Sequence, residues 1–370
     1  MLLVQQLSDF FNGARVSHLS DLQELWSGYG TITRYRITPV DSDTPKQDTS
    51  KSHLAINPEY NSPSDKELDQ TRDSFNIIVK SIHPPNQQQH PRGWNTNRSH
   101  QRKLRSYQVE SHWYQHWSSH CSSQSRVPHC YGVIDINDTH QCIVLEDLDH
   151  QGFDQRFDEL SVEQCRPCLY WLANFHAQFL RHHDATPWTQ QLWSKGSYWH
   201  LDTRPDEWHS MPESPLKQAA SRIDDELDSS RFTTLIHGDA KVANFCFSSD
   251  GRAVAAVDFQ YVGGGCGMKD VVYFLGSCLT EQDCKDHHNQ LLDDYFCELK
   301  YALTQSQRQT NPSQPDIDSD QLERDWRYRY PLAWADFQRF IMGWSPTHKK
   351  NHAFAQLMTQ SALDQLRRDQ

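Results

Sequence analysis

The stretch that decides the fold is HGDAKVAN at residues 237–244, which is followed by VDFQ at residues 257–260. Two apolar runs lie between these motifs and flank the turn SSDG, and an Asp-Gly pair is a strong signal for a β-hairpin. Such a hairpin folds Asp258 back beside Asn244 and Asp239. The motif therefore predicts two carboxylates and one carboxamide at a single point of the fold.

This set of polar groups suits the transfer of a phosphoryl group from ATP. The reaction needs one carboxylate to receive or orient the acceptor hydroxyl, and oxygen ligands for the metal ions that bridge the phosphates. Upstream, Lys80 lies in the apolar strand FNIIVKSI, where its ammonium can pair with the α- and β-phosphates. Glu110, on the helix that follows, is placed to orient Lys80 as an ion pair. The sequence thus predicts ATP and Mg²⁺ as cofactors.

In order and spacing, these motifs resemble the protein-kinase-like fold. The closer resemblance is to its small-molecule branch: aminoglycoside phosphotransferases, choline and ethanolamine kinases, and the ecdysteroid-kinase-like (CHK) proteins. Those families carry HGD rather than HRD in the catalytic loop, as residues 237–239 do here. DFQ at residues 258–260 and the strand-end run Glu146-Asp147-Leu148 point towards the ecdysteroid-kinase-like group. The resemblance spans roughly residues 25–345.

The resemblance implies a role for each residue of the catalytic loop. Asp239 would be the catalytic base, and Asn244 and Asp258 would be the Mg²⁺ ligands. Lys241 would be a second cation that stabilises the transferred phosphate in the transition state. His237 is expected to hydrogen-bond backbone and fix the loop rather than to take part in catalysis.

The resemblance also implies where the nucleotide binds. Backbone groups near Glu146 and Leu148, in the linker between two lobes, would hydrogen-bond adenine. The turn WSGYG, with Gly28 and Gly30, would cover the nucleotide, although it departs from the G-x-G-x-x-G pattern of protein kinases.

The distribution of strands and helices predicts an α+β, bilobal protein-kinase-like fold. Strand-like runs dominate before residue 150, with one helix-like stretch among them: TITRYRI, FNIIVKSI, CYGVIDI and QCIVLEDL, and the helix-like QRKLRSYQVESHWYQHW. Helical patterns dominate afterwards, at 161–182, 269–280, 285–302, 320–343 and 352–368. We therefore expect a small antiparallel β N-lobe that binds nucleotide (1–147) and a larger, mainly helical C-lobe (148–370) that carries catalysis and the acceptor site.

Three polar stretches interrupt these elements. Residues 41–74 are charged, contain prolines and are almost free of periodic apolar residues, so they are predicted to be a flexible insertion. Residues 84–101 and 304–319 are predicted to be polar connections.

Composition excludes several classes of protein. The 370 residues carry a formal net charge of -12, which argues against a general nucleic-acid binder. No run approaches 18 apolar residues, and the N-terminus lacks the basic flank of a secretory signal. Ten irregularly spaced cysteines are too few for a disulfide framework and are expected to be reduced thiols. We therefore expect a cytoplasmic protein, and the resemblance implies that its partner is a small-molecule hydroxyl acceptor.

Several features keep more ordinary interpretations open. Asp and Asn favour surface turns, so the loop residues could serve only to bend the chain. Asp270 suits an N-terminal cap of its helix, whereas the resemblance to the kinase-like fold implies a brace for the catalytic loop. The aromatic run 326–337 suits core packing, or a cage for a quaternary ammonium as in choline-kinase-like enzymes.

Three functional alternatives also remain open: a protein kinase, a catalytically silent nucleotide-binding pseudokinase and a hydrolase built on one of the 21 histidines. The hydrolase is the weakest, because the sequence contains no G-x-S-x-G or H-E-x-x-H motif. An APE-like segment is missing after Asp258, which counts against the first. The intact base and metal ligands count against the second. Choline, an amino alcohol, a sugar, an aminoglycoside and a steroid alcohol all remain possible acceptors, and the oligomeric state is open.

Overall fold

The computed structural model of the chain describes residues 2–25, 28–40, 73–84, 97–137, 139–183, 188–309 and 317–368. The predicted insertion at 41–74 lies outside these residues except for its last two positions. Two residues of the WSGYG turn, Trp26 and Ser27, also lie outside them.

The chain divides into two compact units: Met1–Gly93 with Cys130–Asp147, and Trp94–His129 with Leu148–Gln370. The second unit takes in residues 94–129, which the division of the sequence at residue 147 had assigned to the N-lobe. The roles expected of the two lobes stay a prediction.

The first unit is built on a five-stranded antiparallel sheet in the order β1-β2-β3-β5-β4. Its elements are α1 (Leu2–Phe10), β1 (Arg15–Glu24), β2 (Gly30–Thr38), β3 (Phe75–Ile82), β4 (Cys130–Asn137) and β5 (His140–Glu146). Because apolar residues alternate along the strands, one face of the sheet is apolar and packs against α1. The fully buried residues of this interface include Leu7, Ile77, Val79 and Val144. Central strand β3 has the bounds that its apolar run predicts.

The second unit is mainly helical. Its helices are α2 (Asn97–His116), α3 (Val162–Phe179), α4 (Pro205–Ser210), α5 (Pro215–Gln218), α6 (Ala220–Asp228), α7 (Met268–Cys278), α8 (Glu281–Gln309), α9 (Ser319–Trp344) and α10 (Ala353–Arg368). Its short strands are β6 (Arg181–His182), β7 (Phe232–Ile236), β8 (Phe245–Phe247), β9 (Val254–Ala256) and β10 (Gly263–Gly265). The predicted α+β class, with a β-sheet unit and a mainly helical unit, is therefore confirmed.

Local chemistry explains where the long helices begin. Ser161 accepts a hydrogen bond from the backbone N–H of Gln164, whose side chain accepts one from the Ser161 N–H, so a capping box starts α3. The Asp318 carboxylate accepts hydrogen bonds from the first backbone N–H groups of α9. Helix α2 begins at Asn97, so the predicted polar connection 84–101 ends earlier than its composition indicated.

The predicted hairpin is present as β8 and β9, which pair in antiparallel register across the SSDG turn. Gly251 has φ +68°, in the left-handed region that favours glycine, and the Ser248 N–H donates to the Ala253 carbonyl. The described part of the chain contains no helix that is both long and apolar enough to span a membrane.

Candidate functional site

The loop that follows β7 holds the motif HGD in a strained backbone. Gly238 has φ +76°, and a Cβ at this position would lie 2.1 Å from the carbonyl oxygen of Tyr261. Only glycine fits such a close approach of two backbones. The second letter of HGD is therefore explained by packing against the segment that follows Gln260.

Asp270 fixes the backbone of this loop through hydrogen bonds. Its carboxylate accepts hydrogen bonds from the backbone N–H groups of His237 at 2.6 Å and Gly238 at 2.9 Å. His176 completes the arrangement with Nε2 3.2 Å from the carboxylate and Nδ1 2.8 Å from the Tyr295 hydroxyl. Asp270 is fully buried, and the N-cap residue of α7 is Gly267, with no side-chain hydrogen bond to the start of the helix. Of the two interpretations of Asp270, the structure supports the brace and not the cap.

Asp239 is 8% exposed and is held from two sides. Lys241 Nζ lies 2.9 Å from its Oδ2, and the Asn244 side-chain amide donates to its backbone oxygen at 2.8 Å and to its Oδ2 at 3.2 Å. The nearby Asp239 carboxylate raises the pKa of Lys241 above its usual value, despite burial. The lysine is therefore cationic at neutral pH.

The hairpin brings Asp258 to the same place, as the sequence predicts. The Val257 N–H donates to the Asn244 carbonyl at 3.0 Å, and His237 Nε2 lies 3.0 Å from the Val257 carbonyl. His237 thus makes the structural contact expected of it. Asp258 has φ +69°, which costs a non-glycine residue roughly 1–3 kcal/mol, and strain of this kind is often found at functional sites.

Phe259 anchors the residues that follow. It is fully buried and stacks on Trp113 of α2, with the ring centroids 4.6 Å apart and 17° between the planes. Its ring also lies 4.5 Å from that of His237, and Trp171 and Phe175 of α3 pack around it. One side chain therefore ties the Asp258 segment to two helices and to the catalytic loop.

Gln260 links Asp258 to helix α2. Its amide nitrogen donates to the Asp258 Oδ1 at 2.6 Å, and its amide oxygen accepts from Lys103 at 2.8 Å and from the Ser106 hydroxyl at 3.2 Å. A glycine here, as in the DFG motif of protein kinases, would make none of these contacts. The sequence marked Gln260 as a family signature but not as a bridge.

The residues present fit a divalent metal ion. Asn244 uses its amide nitrogen in the hydrogen bonds to Asp239, an orientation that leaves its side-chain oxygen as the ligand atom. Asp258 supplies a carboxylate within the same segment, joined through Val257. Amide and carboxylate oxygens are the ligands that Mg²⁺ prefers.

One other group of metal-ligand side chains occurs among the described residues: His200, Asp224 and Asp228. Lys195 pairs with both carboxylates, and His200 Nε2 lies 3.0 Å from Asp224. The lysine already supplies the positive charge that a metal would bring, so these residues form an ion-pair cluster.

Three residues near Asp239 were missed by the sequence analysis: Tyr198, Tyr273 and Lys350. The Tyr273 hydroxyl donates to that of Tyr198 at 3.3 Å. Burial raises the pKa of both tyrosines, and the Asp239 carboxylate adds to each shift. They lie 41 residues before, 34 after and 111 after Asp239 in the chain, so no local pattern could have found them.

Lys350 lies against aromatic rings, with Nζ 4.3 Å from the ring centroid of Tyr273 and 5.3 Å from that of Phe337. Burial lowers its pKa to about 8. The charged and titratable groups that face it are the carboxylate of Asp239, the ammonium groups of Lys241 and Lys349, and the thiol of Cys278.

The aromatic run 326–337 belongs to the core. Trp326, Tyr330, Trp334 and Phe337 are all nearly or fully buried on α9. Phe337 alone of these four also contacts Lys350. Core packing is therefore the main role of this run, and one ring reaches the surroundings of Lys350.

Three of the residues expected to bind the nucleotide, Lys80, Gly28 and Gly30, lie in the first unit. Lys80 is 5% exposed and lies in central strand β3, in register with Ile143 of β5. Gly30 has φ +143°, and a Cβ there would lie 1.8 Å from the Ser81 carbonyl oxygen, so the approach of β3 explains this glycine. Gly28 has φ +73° and open space around it. Its role in covering the nucleotide stays a prediction.

The remaining predicted residues lie at the ends of elements or on α2. Glu146 is the last residue of β5, and Glu110 is 1% exposed on α2. Leu148 is 5% exposed, and its carbonyl accepts hydrogen bonds from the N–H groups of Gln151 and Phe153. The Leu148 carbonyl is thus engaged within the chain, while the expected pairing of Lys80 with Glu110 stays a prediction.

The fold and the HGD loop together define a kinase-like enzyme of the small-molecule branch. The chain belongs to the ecdysteroid kinase-like family, whose model matches residues 55–198 and 197–308, more than two thirds of its length. The resemblance found from the motifs is therefore confirmed. A comparison with curated protein sequences gave no match.

Solved structures similar to this chain include three kinases of small molecules. A putative aminoglycoside phosphotransferase from Ralstonia eutropha is 11% identical, with a TM-score of 0.44 over 98% of this chain and 94% of that one. An ethanolamine kinase from Plasmodium vivax is 9% identical, with a TM-score of 0.44 over 94% and 82%. An amicoumacin kinase in complex with AMP-PNP and Ca²⁺ is 12% identical, with a TM-score of 0.42 over 96% and 88%.

Proposed function

We propose that this protein transfers the γ-phosphate of ATP to a hydroxyl group of a small molecule. The observation that supports this most lies in the second unit. The Asn244 amide donates hydrogen bonds of 2.8 and 3.2 Å to Asp239, and the backbone N–H of Val257, the residue before Asp258, donates to the Asn244 carbonyl at 3.0 Å. In the reaction, a bond forms between the acceptor oxygen and the γ-phosphorus, and the bond to the β–γ bridging oxygen breaks. ADP is the leaving group.

Asp239 orients the acceptor hydroxyl and takes its proton as the new bond forms. A transfer of this kind depends mostly on positioning, because the transition state has little covalent character for the protein to supply. Asn244 and Lys241 hold the Asp239 side chain, so its position is set before the acceptor arrives. Lys241 brings a fixed positive charge to the oxygens of the transferring phosphoryl group.

Asn244 and Asp258 are the proposed Mg²⁺ ligands. When bound there, Mg²⁺ supplies neutralisation of the negative charge on the phosphate oxygens. The chain's own contribution is to fix both ligands: Asn244 through Asp239, and Asp258 through its strained backbone and the amide of Gln260.

The nucleotide is proposed to use further groups in each unit. In the first unit, Lys80 pairs with the α- and β-phosphates, the Gly28–Gly30 turn covers them, and the backbone near Glu146 binds adenine. In the second unit, Leu148 belongs to an apolar cluster with Cys246 and Ala255, and an apolar surface of this kind suits one face of a purine ring.

We also propose a cytoplasmic setting. All ten cysteines are free thiols, and eight of them are buried. Cys165 and Cys278 have their sulfur atoms 3.7 Å apart without a bond between them. Unpaired thiols in this number are typical of a reducing compartment.

A thermal-shift titration with ATP, with and without Mg²⁺, tests the nucleotide site. The wild type should show a Mg²⁺-dependent rise in melting temperature, because a ligand of the folded state stabilises it by mass action. Asp258→Ala should lose that rise, whereas Asp225→Ala, on the exposed face of α6, should keep it. Equal responses in all three proteins would contradict the ligand assignment.

Turnover separates an enzyme from a silent binder. Asp239→Asn should keep Mg-ATP binding and lower kcat by about 10²- to 10⁴-fold, the usual contribution of a positioned base. Undiminished kcat in this variant would remove Asp239 from the mechanism. Mg-ATP binding by the wild type without turnover of any acceptor would instead favour the pseudokinase alternative.

A further inference from the structure

Lys350 carries its positive charge against aromatic rings. Its Nζ lies 4.3 Å from the ring centroid of Tyr273 and 5.3 Å from that of Phe337, distances at which an ammonium is attracted to the ring faces. In the described ranges of the chain, no carboxylate forms an ion pair with it. The cation–π contacts with these two rings are therefore the main direct interactions that stabilise the Lys350 ammonium.

This lysine belongs to the surroundings of the catalytic loop. Tyr273 contacts Lys350 with its ring, and its hydroxyl donates to that of Tyr198 at 3.3 Å. Burial raises the pKa of Tyr273, and the Tyr198 hydroxyl and the Asp239 carboxylate beside it add to the shift. One tyrosine ring thus spans the distance between Asp239 and the Lys350 ammonium.

The Lys350 ammonium occupies the place where a cationic ligand would bind. Aromatic faces beside a catalytic carboxylate form a suitable cage for an ammonium group. Here the chain's own ammonium already covers the faces of Tyr273 and Phe337, and Lys241 adds a second positive charge beside Asp239. An acceptor with a positive charge would meet repulsion from both lysines and no vacant cage.

We infer that Lys350 is a specificity-determining residue of the acceptor site. It rejects choline-like and aminoglycoside-like cations and donates a hydrogen bond to an oxygen of an uncharged or anionic hydroxyl compound. This inference rests on the proposed phosphotransfer function and narrows its acceptor class.

The first test measures binding of choline chloride by thermal shift and calorimetry, with no turnover needed. Wild type should bind choline weakly, because its cage is filled. Lys350→Ala empties the cage and should bind choline at least roughly tenfold more tightly, the size of a moderate cation–π contribution. Lys349→Ala removes a neighbouring exposed lysine and should respond like the wild type.

Equal choline affinities in the wild type and Lys350→Ala would overturn the inference, and so would tight binding of choline by the wild type. A lower melting temperature of Lys350→Ala without ligand does not affect this comparison, since each protein is measured against its own ligand-free state. Lys350→Met, which keeps an unbranched side chain of similar length, should leave the cage filled and bind choline as weakly as the wild type.

The second test compares acceptors with Mg-ATP saturating. Choline, ethanolamine and hygromycin B represent cations, and ecdysone and glycerol represent uncharged hydroxyl compounds. For any uncharged acceptor, Lys350→Met should raise the acceptor KM by roughly tenfold, the loss of one hydrogen bond from a charged donor, and leave the ATP KM unchanged. Lys350→Arg should restore part of the loss.

Preferential phosphorylation of the cations by the wild type would overturn the inference and leave the phosphotransfer proposal standing. Absence of any Mg-ATP-dependent shift would instead remove the phosphotransfer proposal, whatever choline does. In that case the choline comparison would test only whether Lys350 fills the aromatic cage, and Lys350 would have no role in selecting an acceptor.

Discussion

Replacing Asp270 by Asn is expected to weaken both the folded state and the catalytic loop. The carboxylate accepts from the N–H groups of His237 at 2.6 Å and Gly238 at 2.9 Å and lies 3.2 Å from Nε2 of His176. An asparagine offers one oxygen where the aspartate has two. Its NH₂ group must therefore face at least one of the backbone donors.

The expected size follows from the contacts that are lost. One hydrogen bond to a charged acceptor contributes about 1.5–3 kcal/mol, and a buried donor left without an acceptor costs about 1–3 kcal/mol. These two effects overlap, so we expect a loss of about 2–4 kcal/mol in the free energy of unfolding. Because domains are typically stable by about 5–15 kcal/mol, the Asp270→Asn protein should still fold.

Urea denaturation of the wild type and of Asp270→Asn measures this loss. The exposed Asp225→Asn on α6 is the matched control and should change stability by less than about 0.5 kcal/mol. We also expect kcat to fall by about tenfold or more in Asp270→Asn, because small displacements of a catalytic loop are costly. A change below about 0.5 kcal/mol together with unchanged kcat would refute the bracing role of Asp270.

Three further predictions concern other parts of the site. Gln260→Ala removes the amide that donates to Asp258 at 2.6 Å, so the KM for Mg-ATP should rise by roughly tenfold, and an unchanged KM across several Mg²⁺ concentrations would contradict it. Gly30→Ala should lower the free energy of unfolding by more than about 2 kcal/mol, because the new Cβ would lie 1.8 Å from the Ser81 carbonyl; a urea midpoint like that of the wild type would exclude this close approach. Burial lowers the pKa of Lys350 to about 8 from a usual 10.5. Between these pH values the unfolded chain binds more protons than the folded chain does. The free energy of unfolding of the wild type should therefore rise from about pH 8 to pH 10.5 relative to that of Lys350→Met. If the free energies of unfolding of the two proteins changed in parallel over that range, burial would not lower the pKa of Lys350.

Much of the fold could be predicted from periodicity and turn chemistry. Strand β3 and its neighbours β2, β4 and β5 carry alternating or continuous apolar residues, and the observed bounds follow these runs closely. Strand β1 was not predicted, because most of its side chains are exposed and it carries a weak apolar signal. The short helices α4 to α6 were missed for a similar reason, since four to nine residues give little periodicity.

The sequence also determined the chemistry of the catalytic loop. HGD, Asn244 and Asp258 lie within 22 consecutive residues, and the Asp-Gly turn between them predicts the hairpin that brings them together. Local order was enough here, because every contact among these residues is made inside one continuous segment. The family likeness then added the expected roles.

Only the tertiary structure decided what surrounds that loop. Asp270 proved to be a brace, Gln260 a bridge to α2, and Lys350 a cation beside Asp239, although the local sequence does not determine any of these contacts. These contacts join residues that are tens to more than a hundred positions apart, and they exist because separate helices pack against one loop. Burial and charge at such positions are properties of the packed chain, so the positions alone could not reveal them.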